Sequence, residues 1–120
     1  MEAKNKKPGA EFDTRDYRRV ELQYRAQFIL KEGNRGLEEC TLININKNLK
    51  GIGIRFHTSK EIKINSIIII DLLTTGEFGP VCITGILRWI RQAENDFIGG
   101  IELIGNSNKL KRLLLSLIHI

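Results

Sequence analysis

The stretch Val20-Glu21-Leu22-Gln23-Tyr24-Arg25-Ala26-Gln27-Phe28-Ile29-Leu30 decides the fold class. Its even positions carry Val20, Leu22, Tyr24, Ala26, Phe28 and Leu30, while the odd ones are mostly polar: Glu21, Gln23, Arg25 and Gln27. Successive side chains of an extended chain point to opposite faces, so this period of two predicts a strand with one face buried. A helix would need its apolar positions at three- and four-residue steps, which this stretch does not have.

Working outward, Lys31-Glu32-Gly33-Asn34-Arg35-Gly36 is polar with two glycines and predicts a turn, hence a hairpin. A second strand runs from Cys40 to Ile45 and ends in Asn46-Lys47-Asn48-Leu49-Lys50-Gly51. A third follows as Ile52 to Phe56, with Ile52, Ile54 and Phe56 on one face. Ser66 to Leu73 holds four consecutive isoleucines and predicts a strand apolar on both faces, with a Gly- and Pro-bearing loop from Thr74 to Pro80 behind it. Val81 to Arg91 sets Val81, Ile83, Gly85, Leu87 and Trp89 on one side. After a polar turn from Gln92 to Asp96, Phe97 to Ile104 forms the sixth strand. The period then changes: Leu110, Leu113, Leu114, Leu117 and Ile118 recur at helical steps behind Ser107 or Asn108 as N-cap, which predicts an amphipathic helix over 107–119. The pattern predicts an all-β fold, a six-stranded antiparallel β-barrel with a C-terminal α-helix across one opening. Closure removes the strand edges that would otherwise pair with other chains.

A chain of 120 residues, 42% hydrophobic, suffices for one core and one domain. We expect a flexible tail over 1–13 and a barrel domain with its helix over 14–120. No stretch approaches the roughly 20 apolar residues of a membrane span, and the lysine-bearing start lacks a signal-peptide core, so the expected location is cytoplasmic. Cys40 and Cys82 lie in apolar segments without Cys-x-x-Cys spacing and are expected as reduced core residues. The net charge of +5 sits at the flanks: residues 1–35 hold nine basic and six acidic groups, 36–105 seven and eight, and 106–120 three and none. A near-neutral body with basic ends fits a small anionic ligand near one flank better than a nucleic-acid-binding face, with plain solvated charge as the alternative.

Two segments could carry chemistry. Arg15, Arg18 and Arg19 crowd the approach to the first strand. A guanidinium fork can bind phosphate or the O6 and N7 edge of guanine in a bidentate way and can stack on a purine. A solvated charge run gives the same composition. In Asn46-Lys47-Asn48-Leu49-Lys50-Gly51 the amides both donate and accept, as base edges require, and Gly51 permits positive φ or a close approach; an ordinary turn would also use these residues.

Other chemistries lack their residues. His57 and His119, with two scattered cysteines, give no zinc spacing, so no metal is expected. Neither a Gly-x-Ser-x-Gly elbow nor a P-loop is present, and an enzyme is not expected. Trp89 could stack on a base, but its place in the alternation fits a core or barrel-mouth role better.

Taken together, the two segments resemble the signature of the PilZ family, Arg-x-x-x-Arg in an N-terminal loop and Asp/Asn-x-Ser-x-x-Gly one hairpin later. Arg15 and Arg19 match the arginine pair; Asn46 and Gly51 match the ends of the second motif. Gly85-Ile86-Leu87-Arg88-Trp89 and Gly99-Gly100-Ile101-Glu102-Leu103 look like the family's last two strands. Asn48 departs, replacing the family's serine hydroxyl with a bulkier amide. The resemblance implies a bacterial receptor for the second messenger cyclic di-GMP, non-catalytic and without a cofactor. It implies that Arg15 and Arg19 wrap the guanines and phosphates, that Arg18 adds charge, and that Asn46, Asn48 and Gly51 offer hydrogen bonds. The arm would become ordered on binding, and a downstream protein would detect this. The alternatives are a PilZ-like adaptor acting through protein contacts alone and, more distantly, a small barrel binding RNA or single-stranded DNA, which would need aromatic residues on an exposed face.

Overall fold

The computed structural model describes residues 19–33, 35–46, 49–73, 81–105 and 108–117. The expected tail over 1–13 therefore lies outside the described residues. Six strands follow in chain order: β1 (Arg19–Leu30), β2 (Glu38–Asn46), β3 (Gly51–Phe56), β4 (Ile67–Leu72), β5 (Val81–Ala93) and β6 (Asp96–Leu103), then helix α1 (Asn108–Leu117). All neighbouring pairs are antiparallel, and the sheet closes in the order β1-β2-β3-β6-β5-β4, with β4 hydrogen-bonded back to β1.

Alternation fills the interior. Ala26 and Phe28 of β1, Cys40 and Leu42 of β2, Ile52, Ile54 and Phe56 of β3, Ile68 and Ile70 of β4 and Leu87 of β5 are all buried. Phe28 and Phe56 meet edge to face with ring centroids 5.0 Å apart, a favoured aromatic geometry. Leu110 and Leu113 of α1 join the core, as the leucine spacing predicts, and the helix packs on β5. Ser107 and residues 118–119, the expected ends of that helix, lie outside the described residues.

Three ladders shift register: β1 with β2 between Glu21 and Tyr24, β2 with β3 between Leu42 and Asn44, and β5 with β6 between Leu87 and Trp89. An inserted residue inverts the parity of the strand beyond it. Two expectations change. Trp89, placed by simple alternation on the inner side with Leu87, instead lies on the outer face, 44% exposed, and Ile90 takes the inward-leaning position. Cys82 is exposed and not a core residue, because Val81 and Ile83 on either side of it point inward. Cys40 is buried as expected, and desolvation pushes its thiol pKa up to about 12.

Candidate functional site

The outer face of β2, β3, β6 and β5 forms a groove of about 690 Å³, lined among others by Asn44, Asn46, Gly51, Arg88, Trp89 and Arg91. Asn46 ends β2 and Gly51 begins β3, so the second motif is the turn between them; Leu49 N–H donates to the Asn46 carbonyl at 2.8 Å. Leu49 holds a φ of 61° and packs against the core, a left-handed conformation a leucine adopts only when its surroundings impose it. The turn is thus anchored by its one apolar residue. Gly51 does not have positive φ. Its role is close approach: a Cβ there would stand 3.1 Å from Nδ2 of Asn46, whose amide lies across it.

Of the expected site residues, Arg15, Arg18 and Asn48 lie outside the described residues. Arg19 is the first residue of β1, and its backbone partner in the ladder is Asn46. The end of the arginine segment and the start of the amide turn therefore meet side by side at one end of the barrel.

The groove holds residues that the motifs do not include. Arg88 Nε donates to Glu102 Oε1 at 2.7 Å and Nη1 to Asn65 Oδ1 at 3.2 Å, so one guanidinium and one carboxylate face each other in the groove. Both are about half exposed (48% and 56%), and such a pair is readily exchanged for another partner. Trp89 lies over Gly100, and the amide of Asn44 over Gly53. Two signals for these residues were present in the sequence: Trp89 and Ile90 are adjacent apolar residues in an alternating strand, and Gly99-Gly100 is a glycine pair within a strand.

Beside the groove, Arg55, His57, Asp96 and Thr41 tie three strands together. Arg55 Nε donates to Asp96 Oδ2 at 2.9 Å, and Thr41 Oγ1 and His57 Nε2 are hydrogen-bonded at 2.7 Å. The order Thr41, His57, Asp96 is that of a hydrolase relay. However, His57 Nδ1 stands 3.5 Å from the carboxylate, which is already committed to Arg55. We read the cluster as a staple. The hydrogen bond from Arg55 is the first cause holding the Asp96 carboxyl below the usual carboxylate range. Among the described residues no group of three His, Cys, Asp or Glu could hold a metal ion, and no helix is long and apolar enough to cross a membrane.

No protein-family model matches the chain, and no curated protein matches it. Solved structures do. The PilZ domain of YcgR from Escherichia coli, determined with c-di-GMP, superposes with a TM-score of 0.62 at 18% identity, over 86% of this chain and 87% of that one. The Bacillus subtilis inhibitor of motility MotI/DgrA gives a TM-score of 0.62 at 14% identity, over 88% of this chain and 49% of that chain. The barrel order, the terminal helix and these superpositions define a PilZ-like fold. At these identities the likeness is one of fold.

Proposed function

We propose that this domain is a non-catalytic receptor for cyclic di-GMP, binding it at the turn between β2 and β3 and clamping it with the arginine arm that leads into β1. The observation that carries the reading is the ladder partnership of Arg19 with Asn46, which makes neighbours of two motifs far apart in sequence. In this reading Arg15 and Arg19 pair with the guanine edges and phosphates, Arg18 adds positive charge, and Asn46, Asn48 and Gly51 line the barrel side. Two phosphates arriving among three arginines favour charge-assisted, bidentate contacts. The arm then settles on the barrel, and a partner protein in the cytoplasm detects the new surface. The folded unit spans 14–120, with 1–13 as a tail.

One observation favours the adaptor reading: the Glu102 carboxylate lies in the groove where a dianion would sit. Its neutralisation by Arg88 limits that repulsion. Titration calorimetry of the full chain with cyclic di-GMP separates the two. Saturable binding at micromolar or lower Kd is expected, and no heat of binding at high micromolar ligand, with the barrel folded, would leave the adaptor.

A further inference from the structure

A second cleft, of about 720 Å³, lies between helix α1 and the turn that joins β2 to β3. Leu49 and Lys50 of the turn form one wall and Asn108 and Lys111 of α1 the other, over a floor that includes Leu103 and Ile104. Backbone bonds tie these parts together: Leu103 N–H donates to the Lys50 carbonyl and Ile104 N–H to the Thr84 carbonyl, both at 2.9 Å. Ile104 is 50% exposed, a large aliphatic side chain left open to solvent.

The helix adds charge. Lys109, Lys111 and Arg112 are exposed, and residues 106–120 hold these three basic groups and no acidic one. The first turn of α1 has no acidic residue and its last turn no basic one. The macrodipole favours the opposite arrangement, carboxylates at the start and cations at the end. Cations kept where the helix disfavours them, beside an open aliphatic side chain, break two local rules at one place, which points to function. Glu102 also lines the cleft, but Arg88 holds its carboxylate at 2.7 Å in the neighbouring groove.

We propose that this cleft receives an acidic segment of a partner protein, with an aliphatic side chain of that segment against Ile104 and its carboxylates on Lys111 and Arg112. This rests on the part of the reading above in which the domain signals through a partner, and it supplies that partner's chemistry. Charge complementarity fixes the sign of the occupant, and the concave aliphatic floor selects its class. Among the described residues none that lines the cleft is aromatic, so single-stranded nucleic acid finds no stacking surface there. A lipid surface binds amphipathic faces that can lie in its plane, which a floor set between two walls cannot do. Helical spacing groups Lys111 with Asn108 at the cleft and sets Arg112 next along the same rim, while Lys109 falls toward the far flank. Their contributions should rank in that order.

Cys82 lines the cleft and is exposed while Cys40 is buried, so alkylation of the native chain reports occupancy. A library of random short peptides is selected on the full chain, and the selected peptides are measured by calorimetry and by the rate of Cys82 alkylation. They should be rich in Asp and Glu around Leu, Ile or Val, should protect Cys82, and should bind more weakly as salt is added. Lys111→Glu should weaken them about tenfold, Arg112→Glu about threefold, Lys109→Glu by no more than about twofold, and Ile104→Ser about fivefold. The glutamate variants remain folded, since they put carboxylates where the helix favours them. Peptides that are not acidic, that leave Cys82 reactive, or that bind the three charge variants equally overturn the proposal. So does capture of a single-stranded oligonucleotide or of phosphatidylglycerol vesicles, with the same ranking of variants, where no peptide binds. If acidic peptides dock and cyclic di-GMP gives no heat, the surface stands and the receptor reading falls; if cyclic di-GMP binds and no peptide does, the surface alone falls.

Discussion

Gly51→Ala separates the fold from the site. The backbone at Gly51 does not have positive φ, so alanine fits there without backbone strain. By narrowing the unfolded ensemble it should add about 0.4–1 kcal/mol of stability. Against this stand two contacts: the new methyl would lie 3.1 Å from Nδ2 of Asn46 and 3.8 Å from the carbonyl oxygen of Ile101. The second is ordinary; the first requires the Asn46 amide to move by a few tenths of an ångström. A side chain ending a strand beside a groove can make that shift at little cost, so the two effects nearly cancel and the thermal midpoint should change by no more than a few degrees. Binding has no such compensation. If Asn46 hydrogen-bonds the ligand, displacing its amide forfeits about 1 kcal/mol, or about fivefold in Kd. Calorimetry with cyclic di-GMP beside a thermal melt measures both quantities. A variant that melts many degrees lower yet binds as wild type would show that Gly51 serves the turn only, and the site reasoning would be refuted.

Arg15→Ala and Arg19→Ala should each weaken binding by about 2 kcal/mol, the scale of a charge-assisted contact, and Arg18→Ala by clearly less; equal small losses in all three would leave only diffuse charge. The Asp96 carboxyl is held low first by its hydrogen bond from Arg55, and that of Glu38 by its hydrogen bond from Arg35. A depressed carboxylate contributes stability above its unfolded pKa, about 3.9–4.3, and loses that contribution as pH falls through the folded value. Denaturant unfolding from pH 6 to pH 2 should therefore show stability falling below about pH 4, with a shallower fall in Asp96→Asn; parallel profiles would contradict the staple. In the native protein a thiol reagent should label Cys82 quickly and Cys40 only on unfolding, since Cys40 is buried with its thiol pushed up to about 12.

Periodicity located every strand because five of the six keep one face for the core. Val20 to Leu30 alternates over its whole length, and the structure buries or half-buries all six of its even positions. The order of strands was not legible. Four isoleucines in β4 say only that both faces are apolar, and nothing local states that β3 pairs with β6 or that β4 returns to β1. Bulges defeated the finer reading. Between Leu87 and Trp89 one extra residue inverts the alternation, so simple alternation sets Trp89 on the wrong face although Ile90 beside it marks the inversion. Asn44, Gly53 and Gly100 belong to no short motif. They line up with Trp89 only through three inter-strand registers, which a single strand does not encode.

The same physics governs the proposed site. Through the middle of the first hairpin Phe28 faces Glu38 and Tyr24 faces Leu42. Continued without interruption, that ladder would set Arg19 opposite Lys47. The shift between Glu21 and Tyr24 brings Asn46 there instead. The bulge thus aligns the arginine segment with the amide turn, and it also lets the end of β1 follow the curvature that closure of the barrel demands. Val20 and Leu22, partly buried against the core, hold this register, because a slip by one residue would turn them to solvent and bring Glu21 inward. Packing beneath the strand thereby fixes which residue of the turn the arginine meets, so the core residues of β1 set the geometry of the site without contacting any ligand.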